Sequence, residues 1–298
     1  MKPDPGLPRG EADRSRKVTV NAAKLVLELY EADAGNCFDD PAMGRLFDPP
    51  TVAIASADDA WFTRFKEIIG EFHWTPREAL ALADARARAR SVICWCLPVG
   101  RAAREANRRE DRTPARPWAY VRTFGEQFNN RLRHGLEARL RELGHAAMAP
   151  QESPLQKARE RPEIGWSSCW SERHVAFVAG LGTFGISGGL ITARGVAHRL
   201  GSVVTDLELA ATPRPYGDEP FAWCLRCAQG TCGECIKRCP ASAIGQSVEQ
   251  RDKKACFQWT YDSVRGDRGE SIFGWKGAYG CGLCQTAVPC EECNPVAQ

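Results

Sequence analysis

No apolar run in the 298-residue chain approaches the roughly 20 residues needed to span a bilayer. Residues Met1 to Lys17 hold no apolar stretch of the kind a signal peptide needs. A cytoplasmic chain is therefore expected, with a flexible N-terminal tail over residues 1–17. In that compartment cysteines serve as thiols or metal ligands rather than as disulfides. A net charge of +3 is too small to mark a nucleic-acid binder by itself. With 43% hydrophobic and 26% charged residues, the composition is that of an ordinary globular protein and excludes wholesale disorder. A phosphate loop is also missing: the Gly-rich stretch Gly180–Gly189 is not followed by Gly-Lys-Ser/Thr.

What is abundant is cysteine. Of 14, four are scattered (Cys37, Cys94, Cys96, Cys169) and ten lie between Cys224 and Cys293. So sharp a shift marks a domain boundary near residue 212. The first run reads Cys224-x2-Cys227-x4-Cys232-x2-Cys235-x3-Cys239-Pro240, and its tail is the end of the bacterial ferredoxin pattern. The second group is Cys256, Cys281-x2-Cys284 and Cys290-x2-Cys293. A Cys-x2-Cys turn places two sulfurs on one cluster. The three-residue spacer to Cys239 begins a helical turn and sends that sulfur to the other cluster. Two [4Fe–4S] clusters are expected: one on Cys232, Cys235, Cys290 and either Cys224 or Cys227, the other on Cys239, Cys256, Cys281 and Cys284. A pair of four-cysteine zinc sites is the alternative. It leaves the Cys-x2-Cys-x3-Cys-Pro run unexplained.

The preceding two hundred residues read as α/β. Strands are expected at Thr51–Ser56, Ser91–Leu97 and Gly201–Leu209. Helices are expected at Asn21–Ala32, Asp59–Gly70, Pro76–Ala89, Glu126–Leu143 and Glu172–Ala179, the fourth with an apolar stripe of Phe128, Leu132, Leu136 and Leu140. Cys94 and Cys96 alternate along a strand and share a face, as buried inert thiols or a reactive pair. The arginine-rich region from Arg86 to Arg141 is either a solvated helical face or a patch for an anionic substrate, a phosphate-bearing cofactor or RNA. Gly180-x-Gly182-x-x-Gly185 has dinucleotide-fingerprint spacing, but a helical stretch precedes it where a strand is required. Its glycines read as points of close backbone approach to a flat ligand.

The chain as a whole resembles the epoxyqueuosine reductase family, relatives of the reductive dehalogenases. The likeness lies in Ala89-Arg-Ser-Val-Ile, Val178-Ala-Gly-Leu-Gly-Thr-Phe-Gly, Thr205-Asp-Leu-Glu-Leu and Tyr279-Gly-Cys-Gly-Leu-Cys-Gln, together with the cysteine runs. The resemblance implies a nitroreductase-like α/β domain over residues 18–211 that binds cobalamin. A small ferredoxin-like domain over 212–298 would follow, its two clusters passing electrons to the cobalt. It further implies that Gly180, Gly182 and Gly185 lie against the corrin, that an epoxide or organohalide is reduced, and that a reduced ferredoxin or flavodoxin is the electron source. The sequence departs from the family at Trp166, near the place of its proton-donating aspartate, and in the Cys284-x5-Cys290 spacing. No helical-repeat extension is seen before Gln298. A small or nucleoside-like substrate is therefore expected ahead of a tRNA. Glu172 and His174 are the candidate proton donors, with Tyr120 third, while Glu172 could instead pair with Arg173. An electron carrier that reactivates a partner protein is the alternative function.

Overall fold

The computed structural model describes residues 20–161, 165–263, 270–271, 273–276 and 278–297. The tail expected over residues 1–17 lies outside them, as does Ile164.

Ser91–Pro98 is buried at every position, as only a strand inside a sheet covered on both faces can be. In chain order the strands are β1 (Thr51–Ser56), β2 (Ser91–Pro98), β3 (Ala147–Met148), β4 (Ala158–Arg161), β5 (Gly165–Ser168), β6 (Gly182–Phe184), β7 (Leu190–Thr192) and β8 (His198–Thr205). The main sheet runs β1-β2-β8-β3, with every pairing antiparallel. β4–β5 and β6–β7 are separate two-stranded pairs. The helices are α1 (Ala22–Ala32), α2 (Ala60–Ile68), α3 (Pro76–Ala83), α4 (Arg101–Arg108), α5 (Arg116–Tyr120), α6 (Glu126–Glu142), α7 (Glu172–Val178), α8 (Leu225–Gln229), α9 (Glu234–Lys237) and α10 (Lys253–Phe257).

Alternation along β2 sorts its side chains into two cores. Val92, Cys94 and Cys96 join Phe62 and Phe65 of α2 and Phe177 of α7 on one face. Ile93, Trp95 and Leu97 join Tyr30 of α1 and Phe128 and Leu136 of α6 on the other. Each such fully buried side chain contributes about 1.5–3 kcal/mol. The α6 stripe expected from the sequence is buried along its length. Trp95 Nε1 donates to Asn129 Oδ1 (2.9 Å), whose amide donates to the carbonyl of Leu200 (2.9 Å), tying α6 across β2 to β8.

Three elements differ from expectation. α3 stops at Ala83 because Asp84 accepts from the Arg86 amide and turns the chain. β8 begins at His198 and ends at Thr205, several residues earlier than its apolar run suggested. The Gly-rich stretch is a β6–β7 hairpin, with the Gly185 amide donating to Gly189 O at 2.8 Å.

The chain beyond Thr212 closes over this hairpin. Ile186, Ile191 and Val196 pack with Cys224, Ile244 and Val288. The amides of Val196 and Ala197 donate to the carbonyls of Cys290 (2.8 Å) and Glu291 (3.2 Å). Glu291 is in turn clamped by Arg104 (3.1 Å) and Arg108 (2.8 Å) of α4. The cysteine-rich segment is thus fastened to the sheet by backbone and by charge.

Candidate functional site

Two groups of thiols form in this segment. Cys224, Cys232, Cys235 and Cys290 line a small cleft with Ile186 and Val288. Burial pushes the Cys290 thiol up to about 12, reinforced by Cys235, Cys224 and Cys232. Cys235 is also pushed up to about 12, by burial and then by Cys224 and Cys232. Cys227 is exposed and stands beside Cys224.

Cys239, Cys256, Cys281 and Cys284 form the second group, on the wall of a larger cavity. Burial pushes Cys281 up to about 11, with Cys256 and Cys239 adding to the effect. Cys284 is raised by burial, Cys281, Cys256 and, from the first group, Cys235, so the two sets adjoin. The Cys239 sulfur accepts from the Ala243 amide at 3.2 Å. Among the described residues, no three His, Cys, Asp or Glu side chains converge as a single-ion site.

The cavity, about 570 Å³, falls within the ~300–1,000 Å³ typical of ligand and cofactor sites. Two π-helical turns supply parts of its wall: Val121–Gly125, between α5 and α6, and Gln258–Ser263, after α10. Such turns widen a helix and frequently occur at functional sites. Trp118 and Trp170 contribute flat apolar surface, and the start of β8 contributes His198 and Arg199.

Glu126 is the electrostatic centre of one side. Arg199 donates to it, Arg133 Nη1 lies 2.9 Å away and Arg122 3.7 Å away. Burial disfavours its charge, but Arg199, Arg133 and Arg122 outweigh this and hold the carboxyl below the usual range. Glu172 is different. Burial raises its pKa despite Arg133 Nε at 3.4 Å and a 2.6 Å hydrogen bond donated by Ser202 Oγ. Arg173 turns the opposite way and donates to Gly188 O, so Glu172 pairs with Arg133 rather than with its chain neighbour. Adjacent positions on a helix do not face each other.

Of the remaining candidates, His174 lies in the core. Its ring packs between Phe65 and Phe184 at 4.8 Å from each, and its Nδ1 is 2.7 Å from Ser171 Oγ. Burial drives its pKa well below 6.5, leaving it neutral. Tyr120 packs among Phe38, Phe124 and Trp275. The space beside Gly180 and Gly182 is filled by this chain's own backbone: an added Cβ would lie 2.8 Å from Pro213 O and 2.1 Å from Ile191 O, respectively. Gly185 borders the small cleft; from this loop Ser187, Gly189 and Leu190 line the large cavity. Trp166 stacks on Phe257 at 5.1 Å.

Sequence reading missed His198. Its Nε2–H donates to Leu190 O at 2.7 Å, and its Nδ1 lone pair in the cavity wall, like Trp259 Nε1, has no hydrogen-bond partner among the described residues. Burial lowers the His198 pKa to about 4. A polar His-Arg pair opening an otherwise apolar strand was the available signal.

These features bear on what the site can hold. Two sets of four thiols are the donor chemistry of two [4Fe–4S] clusters. Unpartnered ring nitrogens and tryptophan walls suit a flat ligand with a hydrogen-bonding rim, which describes a corrinoid.

No family model and no curated protein matches the chain. Among solved structures it is similar to epoxyqueuosine reductase from Bacillus subtilis (19% identity, TM-score 0.44, 91% of this chain and 66% of that one). An epoxyqueuosine reductase with an epoxyqueuosine-modified tRNA stem loop aligns at 18% identity and TM-score 0.45, over 91% of this chain and 66% of that one. The catabolic reductive dehalogenase NpRdhA aligns at 16% identity and TM-score 0.47, over 83% and 30%. The chain thus spans just under two thirds of the reductases' length and less than a third of the dehalogenase's.

Proposed function

We propose that this chain is an iron–sulfur reductase of the epoxyqueuosine reductase type, carrying two [4Fe–4S] clusters and a corrinoid. The observation that carries this reading is the placement of Cys239, Cys256, Cys281 and Cys284 on the wall of the cavity that also presents Glu172. Cys224, Cys232, Cys235 and Cys290 would hold the outer cluster. Cys224 is preferred to the exposed Cys227 because Cys224 lines the small cleft together with Cys290. A corrinoid in the cavity would supply reduction at carbon, the chemistry the protein's own side chains lack. Its polar rim would meet His198 Nδ1 and Trp259 Nε1.

The protein supplies the proton. Burial favours the protonated form of Glu172, Ser202 fixes one carboxyl oxygen, the other lies 3.4 Å from Arg133 Nε, and the residue lines the cavity. Glu172 is accordingly the general acid, and Glu126, locked among three arginines, is not. The substrate is small or nucleoside-like, an epoxide or organohalide by the motif resemblance. Electrons enter on the exposed Cys227 side from a reduced ferredoxin or flavodoxin in a reducing cytoplasm. Among the described residues no helix is long and apolar enough to cross a membrane. A carrier without its own substrate is the weaker reading, because it has no use for a cavity beside the inner cluster.

Anaerobic reconstitution with iron, sulfide and cobalamin tests the proposal. About eight irons and one cobalt per chain are expected, four irons for each four-cysteine set. Full iron without retained cobalt would remove the corrinoid, and about two zinc ions in place of iron would remove the reductase.

A further inference from the structure

Gly188, at the tip of the β6–β7 hairpin, is gripped by two arginines. Its carbonyl accepts from Arg173, and Arg251 Nη1 lies 2.3 Å from where its Cβ would stand. The two guanidiniums therefore meet at one residue, on the cavity wall shared with Cys256 and Cys284. Electrostatically, Arg173 feels the Cys256 and Cys284 thiols, and Cys284 feels Arg251. Lys253 faces the same pair of arginines.

Elsewhere in the cavity the arginines have a carboxylate partner: Arg122, Arg133 and Arg199 all reach Glu126. Among the described residues, neither Arg173 nor Arg251 has an ion-pair partner. Among the described residues, the outer cysteine set has less such charge. There Lys237 is paired with Glu234 at 2.7 Å, which leaves the half-buried Arg226, hydrogen-bonded to Gln246 and Gly230, as the cation lining the small cleft. Exposed charges are screened by water and salt, whereas charges in a cavity wall act at closer to full strength.

A four-thiolate iron–sulfur cluster is anionic and gains one further negative charge on reduction. Fixed positive charge beside it favours the reduced form and raises its potential. We propose that Arg173 and Arg251 are tuning residues that hold the cavity-side cluster at a higher reduction potential than the outer cluster. One electron leaves the outer cluster, which is oxidised, and arrives on the inner, which is reduced, so charge runs downhill toward the cavity. The inference rests on the iron–sulfur reading above.

An anaerobic redox titration of the reconstituted full chain, followed by electron paramagnetic resonance, tests it. Two reduction waves are expected. Cys232→Ser should abolish the lower wave and Cys256→Ser the higher, which assigns them without touching an arginine. Arg173→Gln and Arg251→Gln should each move the higher wave to lower potential and leave the other in place. Arg251→Lys, which keeps the charge, should retain most of the wild-type value. The proposal is overturned if the Cys256→Ser protein loses the lower wave, or if fully iron-loaded arginine variants titrate like wild type. Failure of the wild type to bind about eight irons would instead strike the iron–sulfur reading, so the two failures are distinct.

Discussion

At the scale of single residues, Glu172 and Glu126 show how one cavity gives two carboxyls different tasks. Glu126 is surrounded by three arginines, while Glu172 has only Arg133 and a hydroxyl against its burial. Removing a positioned general acid typically costs 10²–10⁴-fold in rate. Glu172→Gln should lower reduction of an epoxide or aryl halide by about that factor while iron content stays intact. In the parent protein the rate should fall as pH rises through the elevated Glu172 pKa, because only the protonated carboxyl donates; the variant should lose that limb. An unchanged rate and pH profile would return Glu172 to a structural role. The cysteine pairings were legible because ligand spacing is a local code. His198 was not, because its significance depends on the carbonyl of Leu190 and on a wall assembled from distant segments. His174 looked equivalent to Glu172 in sequence, but two residues along the helix, about half a turn, carry it to the aromatic side of α7.

Among the elements, the β6–β7 hairpin is where sheet, cavity and cysteine segment meet. At Gly182 an added Cβ would lie 2.1 Å from the Ile191 carbonyl across the hairpin, and backbone cannot yield as a flexible side chain can. Gly182→Ala should therefore cost at least the ~1–3 kcal/mol of overpacking, read as a lower denaturation midpoint together with weaker iron retention. On the other side of the joint, Glu291 is 4% exposed and held by Arg104, itself 10% exposed, and by Arg108. Truncating one member of a buried pair leaves the other charge stranded, at about 3–5 kcal/mol. Glu291→Ala should show that loss in denaturant unfolding; a loss below ~1 kcal/mol would mean the clamp behaves as a surface pair. Helices with a continuous apolar stripe, such as α6, were readable from the sequence. α3 was overextended because alternating Ala and Arg continue the helical pattern beyond Asp84, where a side-chain hydrogen bond ends it. The hairpin was hidden because five glycines in ten residues carry no apolar alternation to read.

Across the whole molecule, three histidines are buried as neutral rings. His73 and His198 are held at about 4 by burial, and His174 well below its usual value. Unfolded histidine takes up a proton near pH ~6.5, so the unfolded chain binds more protons below that point. The histidine contribution to stability should be flat above about pH 7 and fall as pH drops toward 4, by up to ~1.4 kcal/mol per pH unit for each ring. Denaturant midpoints between pH 7.5 and 5 check this, and a midpoint that rises on acidification would contradict it. The order of the cysteines has one more consequence. Cys239 belongs with Cys256, Cys281 and Cys284, whereas the set opened earlier in the chain closes only at Cys290. During synthesis, the site begun first is the one completed last. A nascent chain that has passed Cys284 but not Cys290 holds all four thiols of the cavity wall and only three of the four that line the small cleft.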